Sequence, residues 1–343
     1  MLNCVQLHED MMSKFYDWLK NIGSLNFESK SVLIIGGSDL VNQYILALTK
    51  LKVKDITVIA KTGKKINEVS KKVGTKVHTG GFEENLGKMD KMDLVVVAPD
   101  IPLIISAANL AIENGQTNIL IEKPGSLYPE ELLSLKEKIG SQIVRVAYNR
   151  LVYPNLHKLK ELVEEEGGIT SCRFTFTERI SVIDFEKYKP EVYNRWGISN
   201  SLHVITMAME LIGMPREIFP RKYGGLDWHK VGNIFVGTGI SEKNIPFSYH
   251  ADWGSGGRWG IEVNTKENSY QLIPLEEIYA CKKNTGNWTK VQFNSAFPDV
   301  KQGIAEEVAI MLSSNEKEKS MLPSLEKAIE YVKLGERIFG YDS

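Results

Sequence analysis

The sequence has little cysteine, no excess of either charge and no long hydrophobic run. Its three cysteines, Cys4, Cys172 and Cys281, lie far apart and form no metal-ligand motif, which favours a reducing compartment over a disulfide framework. Lysine and arginine (42) balance aspartate and glutamate (43), so no basic surplus is available for nucleic acid or an anionic membrane. The first ten residues lack the segments of a signal peptide, and no apolar run could span a bilayer. We therefore expect a cytoplasmic protein with no metal, nucleic-acid partner or membrane partner.

The composition is that of a globular protein, and the chain is long enough for two domains. The 343 residues are 43% hydrophobic and 25% charged, and single cores seldom grow to this size. An amphipathic helix carrying Met12, Phe15, Leu19 and Ile22 on one face predicts a helical extension over residues 1–28. We expect a first domain over residues 29–148 and a second over residues 149–343.

The first domain alternates buried strands with helices. Ser31–Ile35 is an apolar run that ends in two glycines, and a helical pattern follows from Leu40 to Leu51. The alternation continues to a strand over Ile143–Tyr148. Such a sequence predicts an α/β fold in which a doubly wound parallel sheet is covered on both faces, as in Rossmann domains that bind dinucleotides. Ligands of these sheets bind at the carboxyl ends of the strands.

The pattern changes in the second domain. Residues Ile169–Ile180 alternate between apolar and polar, Ser201–Gly213 is helical, and several short strands with Gly and Asn turns follow from Pro220 to Val291. This predicts an α+β domain with a mostly antiparallel open sheet and helices on one face. The apolar alternation and the aromatic content of the sheet predict that it forms a homodimer or a dimer of dimers.

The turn after the first strand is a candidate pyrophosphate site. It reads Gly36, Gly37, Ser38, Asp39, and only its first glycine matches the G-x-G-x-x-G fingerprint, since Ser38 and Val41 take the other two glycine positions. The N-terminus of the following helix offers free N–H groups to a phosphate, and Ser38 adds a hydroxyl. The alternative is a tight turn that binds nothing.

The loop after the second strand bears on the choice of cofactor. NAD-binding domains usually place a carboxylate there for the ribose hydroxyls, whereas this chain has Lys61 and Thr62. A cationic, hydroxyl-bearing loop favours a ribose 2′-phosphate. We therefore expect NADP in preference to NAD, the alternative being a solvated basic loop of no consequence.

Charged residues follow a later buried strand, as Glu122 and Lys123 before Pro124. Here the chain resembles the Gfo/Idh/MocA family of sugar and polyol oxidoreductases, in which Glu-Lys-Pro stands at this place. The resemblance extends to Ala98 and Pro99 at the end of the preceding strand, and to Ala147 through Arg150, Tyr153, Pro154, Trp196 and Glu306-Glu307.

The resemblance implies an NAD(P)-dependent oxidoreductase that acts on the hydroxyl of a sugar, polyol or nucleotide-linked sugar. It also implies that Ala98, Pro99, Glu122 and Lys123 lie at the cofactor, and that Lys123 and His203 exchange protons with the substrate. The family's aspartate before this histidine is replaced by Ser199. His203 then works without a carboxylate partner, or Lys123 carries the proton transfer, or the usual dehydrogenase chemistry is lost.

Polar and aromatic residues near the domain junction and before the His203 helix are suited to a hydroxyl-rich substrate. Their alternative role is to cap helices and join the domains. A non-catalytic NADP-binding sensor on the same fold remains the rival function, which the incomplete glycine turn and Ser199 both favour. The candidate substrate residues are Asn149, Arg150, Tyr193, Arg195, Trp196, Ser199, Asn200 and His203.

Overall fold

A computed structural model of the chain describes residues 18–66 and 73–341. Of the predicted N-terminal helix, residues 18–20 are helical and Ile22–Ser24 is a short 3-10 helix, whereas Met12 and Phe15 lie outside the described residues. Within the described ranges, every helix is too short or too polar to cross a membrane. The chain forms two compact units, the first from residues up to 126 with 130–154 and 294–328, and the second from residues 127–129, 155–293 and those after 328.

The first unit contains a six-stranded parallel sheet in the order β3-β2-β1-β4-β5-β6, which is the strand order of a Rossmann fold. Apart from Ser31, its central strands β1 and β4 consist of buried Val, Ile and Leu, as expected of a sheet covered on both faces. The predicted α/β class of the first domain is confirmed. The strands are β1 Ser31–Ile35, β2 Asp55–Ile59, β3 Lys76–His78, β4 Leu94–Val97, β5 Asn118–Glu122 and β6 Ile143–Ala147.

The helices begin and end close to the predicted positions. The amphipathic pattern from Leu40 to Leu51 forms α1, and the pattern around His203 forms α7. In chain order the helices are α1 Asp39–Lys50, α2 Phe82–Asn85, α3 Ile104–Glu113, α4 Pro129–Lys138, α5 Pro154–Glu165, α6 Pro190–Asn194, α7 Leu202–Ile212, α8 Ile304–Leu312, α9 Glu316–Lys319 and α10 Leu325–Phe339.

The second unit contains an eight-stranded sheet in the order β14-β13-β12-β11-β7-β10-β9-β8. Neighbouring strands are antiparallel except for the interior pair β7 and β10, so the predicted mostly antiparallel sheet is confirmed. The strands are β7 Ser171–Phe176, β8 Pro215–Tyr223, β9 Ile234–Ser241, β10 Pro246–Asp252, β11 Trp259–Asn264, β12 Asn268–Leu272, β13 Ile278–Lys282 and β14 Trp288–Val291.

Aromatic rings fill the core of the second unit. Phe174 and Phe176 alternate with exposed or half-buried residues along β7 and project to one face of the sheet. Phe176 packs against Phe235, Tyr249 and Phe339 with ring centroids 5.5 to 6.4 Å apart. Burial of large rings at these separations supplies both hydrophobic and quadrupolar stabilisation. This core supports the end of β7, after which the residues of the candidate site begin.

Candidate functional site

Gly36 ends β1 at a point where the main chain passes very close to β4. Its φ of +151° favours glycine, and a Cβ atom on it would lie 2.3 Å from the carbonyl oxygen of Ala98. The N–H of Ala98 also donates to the carbonyl of Ile35 at 2.7 Å. The glycine is therefore required sterically at the carboxyl edge of the sheet.

The N-terminus of α1 follows this turn. Ser38 is the N-cap residue, and its side chain makes no capping hydrogen bond. The first-turn N–H groups are therefore not satisfied by the cap and can meet an anionic ligand. Asp39, the first residue of α1, is exposed. Val41, in the third glycine position of the fingerprint, is buried and packs against the turn, with Cγ2 3.2 Å from the position of a Cβ on Gly36.

The basic loop after β2 lies beside the same turn. A Cβ on Gly37 would be 3.8 Å from the carbonyl oxygen of Thr62. The side chain of Asn42 on α1 donates to the carbonyl of Lys65 at 3.0 Å, so the loop is fastened to the helix that begins at the turn. Lys61 and Thr62 are exposed. The structure thus places the predicted phosphate-binding residues of the turn and the loop close together.

Glu122 and Lys123 stand at the end of β5, on the same edge of the sheet. Val97 of β4 pairs with Ile121 of β5, so Ala98 and Glu122 follow at equivalent places in adjacent strands. Lys123 is half-buried, and its N–H donates to the Glu122 carboxylate at 3.2 Å. The Glu122 side chain thereby fixes the main chain that carries Lys123.

Two buried carboxyl groups share one tyrosine hydroxyl. Tyr44 of α1 donates to Glu122 Oε1 at 2.5 Å, and Glu307 Oε1 of α8 lies 2.7 Å from the same phenol oxygen. Glu122 is 8% exposed and Glu307 is fully buried. A phenol has one proton and can donate to only one of the two oxygens. One carboxyl group must therefore be protonated and donate to the tyrosine oxygen.

The electrostatics assign that proton to Glu307. Burial raises the pKa of Glu307 well above its usual range, and the nearby Glu122 charge raises it further. Burial also raises the pKa of Glu122; the Tyr44 hydrogen bond opposes the shift in both groups, and the Lys123 charge opposes it in Glu122. Burial raises the pKa of the neighbouring Glu306 to about 7. Two like charges that share one desolvated hydroxyl do not ionise together, so of the two carboxyl groups Glu307 is the one that keeps its proton to higher pH.

In the second unit, His203 is the second residue of α7 and is 6% exposed. Its ring centroid lies 5.9 Å from that of Trp259, the first residue of β11. The helix is preceded by a π-helical turn, Gly197–Ser201, a feature that is frequent at functional sites. Within this turn the Ser199 hydroxyl is buried and donates to the carbonyl of Trp196 at 3.3 Å.

A carboxylate that the sequence interpretation missed lies against this turn. Glu178 follows β7, is 5% exposed, and accepts hydrogen bonds from Ser201 Oγ at 2.5 Å and from Asn200 Nδ2 at 2.8 Å. The indole of Trp259 is a further hydrogen-bond partner. Burial nevertheless raises the pKa of Glu178 from its usual value.

Tyr193, Arg195 and Trp196, the remaining substrate-binding candidates of the second unit, make contacts with other residues of that unit. Tyr193 stacks on Trp196 with centroids 5.8 Å apart, and its hydroxyl donates to the carbonyl of Asp184 at 2.5 Å. Arg195 is paired with Glu336, and its guanidinium carbon lies 4.5 Å from the Tyr128 ring centroid. Trp196 is thus an aromatic wall next to the π-helical turn, whereas Arg195 is committed to packing and an ion pair.

Asn149 and Arg150 belong to the first unit. The Asn149 side chain donates to the carbonyl of Gln302 at 2.9 Å, and a Cβ on Gly303 would lie 2.1 Å from the Asn149 carbonyl oxygen. The Arg150 guanidinium carbon lies 5.8 Å from the Tyr153 ring centroid. Asn149 therefore holds the segment that leads into α8, the helix that carries Glu307.

The sequence contains little that would have identified Glu178 and Tyr44 as site residues. Glu178 follows a strand whose alternation is plain, but that strand lies in a mostly antiparallel sheet, to which the rule used for Glu122 does not apply. Tyr44 occupies the buried face of α1 among apolar residues, and nothing local marks its hydroxyl as shared.

No protein-family profile and no curated protein sequence matches the chain. Solved structures do. Levoglucosan dehydrogenase in complex with NADH and levoglucosan is 17% identical, covers 91% of this chain and 96% of its own, and has a TM-score of 0.70. An oxidoreductase of Thermotoga maritima is 19% identical, with coverage of 90% and 95% and a TM-score of 0.71. UDP-N-acetylglucosamine 3-dehydrogenase of Acidithiobacillus ferrooxidans is 12% identical, with coverage of 91% and 97% and a TM-score of 0.66.

These similarities extend over nearly the whole of each chain. The protein therefore has the two-domain fold of the Gfo/Idh/MocA oxidoreductases, a Rossmann unit followed by an α+β unit with an open sheet. The fold predicted from the Glu122, Lys123 and Pro124 motif is confirmed.

Proposed function

We propose that the protein is an NAD(P)-dependent oxidoreductase acting on the hydroxyl of a sugar, a polyol or a nucleotide-linked sugar. One observation carries this proposal. The Gly36 turn, the uncapped N-terminus of α1 and Lys123 all stand at the carboxyl edge of one parallel sheet, where sheets of this kind bind their ligands. The steric need for glycine at Gly36 and the uncapped helix end both fit a pyrophosphate.

The chain's own residues would hold the reactants and move the proton. A bound nicotinamide would take or give the hydride. In oxidation Lys123 would accept the proton of the substrate hydroxyl through Nζ, and in reduction it would return it. His203, in the second unit, would bind or orient a substrate hydroxyl, because no carboxylate stands at Ser199 before its helix. Glu122 would keep the main chain of Lys123 in place through the Lys123 N–H.

NADP would be preferred to NAD. Lys61 and Thr62 are exposed beside the turn, and the bond from Asn42 to Lys65 holds the loop at the start of α1. A 2′-phosphate would gain charge-assisted hydrogen bonds from this loop. The ribose hydroxyls of NAD would find no carboxylate there.

A sugar-class substrate is supported by two further facts. Two of the similar structures are named as dehydrogenases of levoglucosan and of UDP-N-acetylglucosamine. Trp196, Tyr193 and Trp259 lie near the His203 turn, and flat aromatic rings pack well against the apolar face of a sugar ring.

The open sheet of the second unit would form a homodimer, or a dimer of dimers. Phe219 and Tyr223 of β8 are more than half exposed, at 60% and 57%, and large exposed rings in a sheet are typical of interfaces. The thiols of Cys172 and Cys281 are free, which agrees with a cytoplasmic location.

A second function is favoured by one observation, the hydroxyl of Ser199 at the place of a carboxylate. It supports a sensor that binds NADP without turning over a substrate.

Calorimetric titration with NADP(H) and NAD(H), followed by a nicotinamide absorbance assay over free, reduced and nucleotide-linked sugars, separates these functions. The oxidoreductase predicts NADP binding and turnover of some sugar. Tight NADP binding without any turnover indicates the sensor, and binding of neither nucleotide contradicts both.

A further inference from the structure

Glu178 is a buried carboxylate with an unusual set of partners. Ser201 and Asn200 each donate to a different carboxylate oxygen, at 2.5 and 2.8 Å, and the Trp259 indole is a third partner. No cation is among these partners. A carboxylate buried at 5% exposure is costly unless its oxygens are satisfied, and here they are satisfied by groups that surround His203.

The partners of Glu178 are connected to His203 in two ways, along the chain and by packing. Asn200 and Ser201 are in the π-helical turn that leads into α7, two to three residues before the histidine. Trp259 belongs to β11, on the sheet, and its ring lies 5.9 Å from the imidazole. A single side chain is therefore bonded both to the turn that sets the start of the helix and to the ring that packs on the imidazole.

We propose that Glu178, in the segment that follows β7, is the positioning residue for His203. It acts through the Ser201 and Asn200 bonds and through Trp259, and it does not itself exchange a proton with the substrate. The expected effect on kcat rests on the proposed function. The expected effect on the NMR signals of His203 rests on the contacts alone.

The test compares Glu178→Gln with Glu166→Gln. Glu166 is a matched control, because it is a carboxylate of the same unit that accepts hydrogen bonds from Thr265, Asn268 and Tyr270. In Glu178→Gln one acceptor oxygen becomes an NH2 donor, so at least one of the hydrogen bonds from Ser201, Asn200 and Trp259 is lost or reversed. We expect kcat to fall by about tenfold or more, as for other small displacements of a catalytic group, with the dissociation constant for the nucleotide unchanged. Glu166→Gln should leave kcat within about twofold even if it unfolds at a lower temperature.

A second readout needs no turnover. In the nucleotide-free protein, the NMR signals of the His203 ring should shift in Glu178→Gln and stay in place in Glu166→Gln. If the unmodified protein turns over no sugar, the proposed function fails, yet this comparison still decides the role of Glu178. Should Glu178→Gln not fold, Ser201→Ala removes one of the donors and should produce the same shift to a smaller degree.

Two results would overturn the inference. One is a His203 signal that does not respond to Glu178→Gln or Ser201→Ala. The other is a loss of kcat that is equal in Glu178→Gln and Glu166→Gln, since that would mark a general loss of packing.

Discussion

Replacing Glu307 by glutamine should change how the stability of the protein depends on pH. In the folded protein Glu307 keeps its proton beside Tyr44 and Glu122, because burial raises its pKa well above the usual value of 4.5. In the unfolded chain the same group loses its proton near that value. Folding must then take up a proton, which costs about 1.4 kcal/mol for each pH unit between the unfolded and the folded pKa.

The sign of the effect follows from the raised pKa. The favourable contribution of Glu307 is complete below the unfolded pKa and is lost as pH rises through the folded pKa. Glutamine keeps the shape and the donor of a protonated carboxyl group, and it does not titrate. The free energy of unfolding of Glu307→Gln, minus that of the unmodified protein, should therefore increase with pH by about 1.4 kcal/mol per unit from about pH 5 upward, until the folded pKa is reached.

Urea unfolding at a series of pH values measures this difference. Glu326→Gln is the control, because a hydrogen bond from Ser324 and other contacts lower the pKa of Glu326 to about 2. Glu326 titrates only in acid, so the free energy of unfolding of Glu326→Gln, minus that of the unmodified protein, should not change with pH above about pH 6. Equal pH slopes for Glu307→Gln and the unmodified protein would refute the shared-proton assignment.

Three further results are expected. Tyr44→Phe removes the hydroxyl that both carboxyl groups use, and it should lower the free energy of unfolding at neutral pH by about 1 to 3 kcal/mol, measured by urea unfolding; an unchanged midpoint would contradict the burial argument. Lys61→Glu should raise the dissociation constant for NADP by about tenfold or more through loss of a phosphate contact, with a smaller change for NAD in the same calorimetric titration; equal changes would remove the cofactor argument. Sedimentation should show a dimer that Phe219→Asp converts to monomer, and a monomeric unmodified protein would remove the sheet interface.

Local patterns in the sequence were sufficient to predict the two-domain architecture and most of its strands and helices. Continuous apolar runs between helical patterns predicted the buried parallel strands, and alternation along Ile169–Ile180 predicted β7 at Ser171–Phe176. The short strand β3 was not predicted, since Lys76–His78 has too few residues to show a period. The π-helical turn at Gly197–Ser201 was predicted only as part of a loop and a helix start, because a π turn has no period of its own.

The candidate site was predicted in part. Residues at strand ends, such as Lys123, follow from the rule that parallel strands present their carboxyl ends to a ligand. The partnership of Tyr44 and Glu307 spans 263 positions of the sequence, and no local pattern reports a contact of that separation. The roles of Asn149 and Arg195 were also beyond reach, since a polar side chain near a site binds a ligand or a neighbour according to packing that only the folded chain determines.

The role of Lys123 is tested most directly by the turnover of Lys123→Met on the first sugar found to be a substrate. We expect a fall in kcat of about a hundredfold or more, the usual loss when a general acid or base is removed, with the dissociation constant for NADP changed far less. Undiminished turnover in Lys123→Met would contradict the assignment of Lys123 as the residue that exchanges a proton with the substrate.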